Sequence, residues 1–269
     1  MVENQRDSNS RAGSGRRIPS SAVSVATIVA IVLIWFGVTN TGLVAPDYLP
    51  SPQALGTRFI SLIKDGYQNV GLDVQIEASL SRTLIGFVIG STLGVGVGLA
   101  AGYSRLVSAA ISPLMSFIRP IPPIAFIPMV VLYFGLGETG KIVLIAVTSF
   151  NYAVVNAEAG AAGTSIAYRR AAATLGLSKT QEFYRVIVPA ALPSIFTGLR
   201  VALALSWAVV VAAELVGAQT GLGYMINNAA LLFDIPTVFI GVVLIGAIGL
   251  ILNSVIEFAD RRIVHWKGR

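Results

Sequence analysis

The sequence predicts an all-α, polytopic membrane protein with six transmembrane helices. Three observations carry that prediction. Apolar residues make up 55% of the 269 residues and charged residues 12%, with a mean hydropathy of +0.77. Soluble domains carry about 25% charged residues, so this chain lacks the polar surface to cover a water-soluble globule of its size. Several windows run to about 18 residues or more with few charges, which is the length of a membrane helix. Lysine and arginine gather in alternate connecting segments, as they do where charge sets topology.

Residues 1–21 are polar and rich in Ser, Gly and Arg, and read as a disordered cytoplasmic tail. The apolar run behind them is long and ends at Trp35-Phe36 without a small-residue cleavage pattern, so it reads as a retained first helix. The transmembrane domain covers 22–258, and 259–269 form a cytoplasmic tail. Spans are expected at 22–39, 82–103, 107–135, 141–163, 190–217 and 236–258. The third is broken by Pro120, Pro122, Pro123 and Pro128.

With the N-terminus inside, the inner segments hold Arg6, Arg11, Arg16, Arg17, Arg105, Arg169, Arg170, Lys179, Arg185, Arg261, Arg262, Lys267 and Arg269. The outer segments hold Arg58, Lys64 and Lys141. This bias places both termini and the loop 164–189 in the cytoplasm. Residues 40–81 become a long periplasmic segment. Within it, Leu49-Pro50-Ser51-Pro52 is a turn in which proline enters a short helix. Leu55, Phe59, Leu62 and Ile63 then recur at helical spacing, as in an amphipathic helix on the membrane surface or against the bundle.

Composition excludes several chemistries. There are no cysteines, hence no disulfide, thiolate metal site or cysteine nucleophile. The single histidine, His265, sits in the charged tail and reads as a solvated residue. No metal cluster, triad or paired-carboxylate site stands out, so an enzyme is poorly supported. The net charge of +6 is accounted for by topology, and no aromatic-interleaved basic stripe points to nucleic acid. Gly135-Leu-Gly-Glu-Thr-Gly140-Lys141 matches the first seven positions of a phosphate-binding P-loop, but Ile142 stands where Ser or Thr would hold magnesium. No strand precedes it, and two tight turns between helices account for its glycines.

Four features of the spans stand out. Gly86, Gly90, Gly94, Gly98 and Gly102 recur every four residues, a stripe that lets another backbone approach closely, in plain helix packing or in a gating or dimer helix. Arg119-Pro120-Ile121-Pro122-Pro123 interrupts the third span, and broken membrane helices tend to line cavities. Arg119 at that break either pairs structurally or faces a water-filled path. In the fifth span Arg200, Trp207 and Glu214 fall at steps of seven, with Arg200 near mid-membrane. They form either a polar stripe on a translocation path or a helix contact with satisfied charges. Glu158 reads as a packing or ion-pair residue.

The stretch from Tyr168 to Pro193 is polar, cationic and helix-prone, and longer than a turn requires. It reads Arg170-Ala171-Ala172, three residues, Gly176, nine residues, Val186, one residue, Val188-Pro189. This spacing resembles the EAA loop of ABC importer permeases: Glu-Ala-Ala, three residues, Gly, nine residues, Ile, one residue, Leu-Pro. Arg170 departs from the family glutamate and reverses its charge, while Val186 and Val188 keep apolar character. Small Ala171 and Ala172 suit a helix lying flush in a partner's groove, and Gly176 permits a left-handed turn between two short helices. Pro189 marks entry into the next membrane helix.

Other blocks extend the resemblance over residues 22–265: Leu49-Pro50-Ser51-Pro52, Ser79-Leu80-Ser81-Arg82 with Gly86-Phe87, Arg119 to Pro123, Phe134 to Glu138, and Ala213-Glu214-Leu215 with Gly221 to Met225. Together they are similar to permeases for taurine, aliphatic sulfonates and nitrate, a branch that also serves thiamine-pyrimidine precursors and aromatic acids. The resemblance implies a type I ABC importer (MetI-like) transmembrane domain acting as a homodimer in a bacterial inner membrane. It also implies two cytoplasmic ATPases docked on the 168–189 loop and a periplasmic or lipid-anchored binding protein. ATP and Mg would bind the partner ATPase, leaving this chain without a cofactor and without enzymatic activity. The expected translocation-path residues are Arg119, Pro122, Pro123, Arg200, Trp207 and Glu214, with arginines suited to an oxyanion. The rival reading, an ion-gradient transporter, would show internal repeats and intramembrane carboxylates in both halves, and no clear repeat is seen.

Overall fold

The computed structural model describes residues 20–45 and 48–266. The expected N-terminal tail lies almost wholly outside them, as do residues 267–269. The chain divides at Gln53–Ala54 into two units. The first holds helix α1, Ser20–Asn40, and Trp35 Nε1 donates to the Pro50 carbonyl at 3.1 Å within it.

The division falls just inside α2, Pro52–Asp65, which proline starts in its first turn and whose residues from Ala54 on belong to the second unit. The buried face of this helix differs from the one the spacing suggested. Leu62 is fully buried and Leu55 packs on the core, but Phe59 and Ile63 are exposed. Arg58 takes the intervening inward position, donating to Thr237 at 2.8 Å and Asp234 at 2.6 Å.

Helix α3, Leu72–Tyr103, begins ten residues before the expected span. Its added turns carry Gln75 and Ser79, both buried, and lead into buried Arg82, and polar side chains of this kind hide a membrane helix from a hydropathy window. Then come α4, Arg105–Ile118, a 3₁₀ turn at Pro123–Phe126, and α5, Ile127–Phe134. The last two pieces lie at 88° to α4, so the prolines break the third span as expected. Helix α6, Glu138–Ala162, packs along α3. The connecting segment holds α7, Ile166–Thr174, and α8, Lys179–Glu182, and a π turn at Phe183–Ile187 runs into α9, Val188–Glu214. Short α10, Leu222–Leu231, precedes α11, Ile235–Ile263. The last span thus continues five residues into the expected tail.

Among the described residues five helices are long and apolar enough to cross a membrane, and the bent pair makes a sixth if it is one span. Contacts fix two ends for the second unit. Tyr103 at the end of α3 meets α8, so that end carries the loop. Arg82, nearer the start of α3, meets Glu138 at the start of α6 and Glu214 at the end of α9, which defines the far end.

The glycine stripe is a packing seam. A Cβ at Gly86, Gly90, Gly94, Gly98 or Gly102 would come within 3.0 Å of a carbonyl oxygen of Ile142, Ala146, Phe150, Val154 or Glu158 respectively. Those carbonyls also step by four, so the two helices meet backbone to backbone over five turns.

Candidate functional site: the connecting loop and the polar clusters of the bundle

The segment 164–187 is shaped by local chemistry. Ser165 caps α7, its Oγ accepting from Ala167 N at 3.3 Å. Gly176 ends it, with φ of +71°. Its N–H donates to Ala173 at 3.0 Å and the next N–H, of Leu177, donates to Ala172 at 3.1 Å. That pair of bonds is a Schellman cap, which glycine closes without strain. Ser178 and Gln181 form a capping box at the start of α8. Pro189 has no N–H to give the Arg185 carbonyl and its ring crowds that carbonyl, so the π turn just before it widens the helix there.

The loop presents an apolar and cationic surface. Ile166, Tyr168, Leu175 and Tyr184 are 63–78% exposed, and Arg170 and Arg185 are exposed beside them. Ala171 faces outward, whereas Ala172 is buried within the chain, so only the first of the two alanines is free to meet another surface. Val186 and Val188 are half-buried, the latter packed under the loop beside Ile187 and Ala191. Among the described residues no acid pairs with Arg170.

The loop's one acid, Glu182, is instead buried and held by three elements. It accepts from Arg169 Nε of α7 at 2.9 Å, from Lys179 Nζ at 3.3 Å and from the Tyr103 hydroxyl of α3 at 3.3 Å. Arg169 stands over the Tyr103 ring, 5.7 Å from its centroid, and Phe183 meets the same ring edge-on at 5.3 Å.

A second cluster closes the far end. The Arg82 guanidinium bonds Glu138 through Nε and Nη2, Glu214 at 2.7 Å and the Thr220 carbonyl at 2.7 Å. Glu214 also accepts from Ser79 at 2.9 Å and from the Gly223 N–H at 2.9 Å. Ser79 and Gln75 take the N–H groups of Leu222 and Gly221. Arg82 and Glu214 are 5% and 0% exposed at the side chain, while Glu138 opens to solvent at 58%. Three sequence blocks far apart in the chain, around Arg82, Glu138 and Glu214, thus meet in one place.

The expected path residues are not brought together in this chain. Glu214 lies in that closed cluster. Trp207 donates to the Ile245 carbonyl of α11 at 3.0 Å. Arg200 shares this face, but its long side chain reaches toward the loop end, where Nη2 lies 3.8 Å from Asp260 near the end of α11. Arg119 and Pro122 are exposed at the break in the third span and Pro123 is half-buried there. Beside the break lies a cavity of about 320 Å³ lined by aromatic and aliphatic side chains, including Phe117, Ile121, Met129 and Tyr133, and not by Arg119. Glu158 accepts from Ser108 and Ser112 of α4 at 2.9 and 3.0 Å, a structural tie. Lys141 of the P-loop-like run is buried against Glu138 at 3.2 Å, in helix rather than in a phosphate cradle. No group of metal-ligating side chains occurs among the described residues.

Sequence reasoning missed Arg82, Glu138 and Glu182 as organising residues. Arg82 and Glu138 carried a signal, as members of the quoted blocks. Glu182 carried none: one acid in a cationic loop gives no hint that it is buried.

Residues 79–265 match the family described as binding-protein-dependent transport system inner membrane component. A probable ABC transporter permease protein of Brucella abortus (strain 2308) is 41% identical over 235 residues, 87% of this chain and 91% of that one. The taurine transport system permease protein TauC of Escherichia coli (strain K12) is 34% identical over 247 residues, 91% of this chain and 90% of that one. The nitrate import permease protein NrtB of a Synechocystis species is 32% identical over 244 residues, 89% and 88% of the two chains. A chain of the inward-facing MetNI methionine ABC transporter superposes with a TM-score of 0.61 at 22% identity, over 72% of this chain and 95% of that one, which is a likeness of fold.

Proposed function

The chain belongs to the binding-protein-dependent transport system inner membrane components and is an ABC importer permease subunit, and on that premise we propose that it forms the path for a small anion, a sulfonate such as taurine, and is driven through the 164–189 loop. The observation that carries the driving role is the loop itself. It is a capped two-helix element whose outward face is apolar and cationic and whose one acid is turned inward. Exposed cations entering an interface cost desolvation unless carboxylates meet them. The docking partner is then a cytoplasmic ATPase with an acid opposite Arg170, the reverse of the charge pattern usual for such loops. ATP and Mg belong to that ATPase, and this chain carries out no hydrolysis. A second copy of the chain and an external binding protein complete the assembly in the inner membrane, with both termini cytoplasmic.

The sulfonate reading rests on the taurine permease relative. Two measurements test the proposal. Gly176→Val forces a branched side chain into a left-handed conformation, so the ATPase should fail to co-purify while the permease still reaches the membrane; undiminished co-purification rejects the docking role. Vanadate-sensitive uptake of labelled taurine, competed by nitrate in excess, tests the substrate. Competition by nitrate at equal concentration would favour nitrate as substrate.

A further inference from the structure

Helix α3 has 32 residues and is therefore about 48 Å long. One end is tied to the loop through Tyr103, Glu182 and Arg169. Its middle is fused to α6 by the backbone seam, and toward its other end Arg82 is locked to Glu138 and Glu214. Of these ties, the one at the loop is the least buried: the Arg169 side chain is 43% exposed and that of Lys179 85% exposed. We propose that Glu182 is a positioning residue which clamps both short helices of the loop onto Tyr103, so that displacement of the loop is delivered to α3 as a rigid rod. This inference rests on the docking role given above.

The geometry assigns each contact a task. Arg169 ties α7 to the carboxylate that α8 carries, so the two helices cannot hinge independently about Gly176, and Lys179, one turn earlier in α8, covers the same carboxylate. The Tyr103 hydroxyl and the Phe183 ring then fix that pair to α3, one by a hydrogen bond and one by an aromatic edge. Without the clamp, the π turn at Phe183–Ile187 and the left-handed Gly176 are the two places where the loop can yield. An ATPase would still hold the loop, but its motion would be lost in those joints.

The chain has no cysteine of its own, so two can be introduced for spin labelling away from the apolar docking face, Thr180→Cys on α8 and Leu93→Cys on α3, both exposed. In the otherwise unaltered permease in liposomes, the two labels should show a single narrow distance that vanadate trapping of bound ATPase leaves in place. Glu182→Gln and Tyr103→Phe should each replace it with a broad distribution, while ATPase co-purification is retained and coupling of ATP hydrolysis to transport falls about tenfold. Glu182→Asp, which keeps the charge, should restore part of the narrow distance. Unchanged distances in both variants would overturn the proposal, as would loss of ATPase binding together with an unchanged distance. If no ATPase co-purifies with the unaltered chain, the docking role fails, and the nucleotide-free distances still decide whether the clamp exists.

Discussion

Each end of the second unit is organised by a carboxylate that an arginine holds, and the two pairs live under opposite conditions. At the far end, Arg82 and Glu214 are 5% and 0% exposed and every oxygen of Glu214 has a donor. At the loop end, the Glu182 side chain is 8% exposed and that of Arg169 43%. The first arrangement joins four helices and the turn at Thr220–Gly223 into a body that does not open cheaply. The second joins two short helices and one helix terminus at the surface, where a partner can push. A buried pair is costly to break because the survivor is left charged in a low dielectric, whereas a half-exposed pair is relieved by water. The comparison teaches that similar chemistry can serve as a fastener or as a coupling, according to burial.

The largest effect should come from breaking the fastener. Arg82→Met leaves Glu214 buried without a cation and should cost about 3–5 kcal/mol, seen as loss of folded protein from detergent extracts. Glu214→Gln, which removes charge but keeps the shape, should cost less; equal loss in the two would mean that the ion pair is incidental. Next comes the seam between the two ends. Gly90→Leu drives a side chain into the Ala146 backbone and should cost about 1–3 kcal/mol in overpacking, read as a lowered unfolding temperature. Gly96→Leu, on the open side of the same helix, should have almost no effect.

The coupling end should respond in function rather than in stability. Arg170→Glu should leave the permease folded and weaken ATPase association about tenfold at low salt, with the loss shrinking as salt rises. An unchanged affinity would remove the acid expected opposite it. The smallest effect concerns backbone geometry. Phe233 ends α10 with the same bonding pattern that Gly176 gives α7, yet as a phenylalanine at φ of +57° and 85% exposed. Phe233→Gly should stabilise the protein by about 1 kcal/mol, measurable by thermal unfolding in detergent.

The legible parts of the fold were those with a one-dimensional signature. Five expected spans correspond to single helices and the third is broken at its prolines. The spacing around Gly176 anticipated two short helices and a left-handed turn. Misreadings clustered where a polar residue is buried. The start of α3 was missed because Gln75 and Ser79 resemble a solvated segment, and nothing before the fold shows that Glu214 and the N–H groups of Gly221 and Leu222 will meet them. The face of α2 was misread because Arg58, not Phe59, turns inward to Asp234. Arg200, Trp207 and Glu214 do share a helix face by spacing, but their partners lie on two different helices.

The sequence by itself determined that this chain is a bundle of apolar helices with a cationic two-helix loop, because hydrophobic length, proline, glycine and charge act locally along the chain. Only the tertiary structure decided which charges are fastened and which are free. Glu182 was distinguished from a solvated surface acid, and Glu214 was shown to be a bonded, buried one, by the arginines, hydroxyls and backbone N–H groups that surround them. Pairing energy depends on separation and burial, and both are properties of the folded chain.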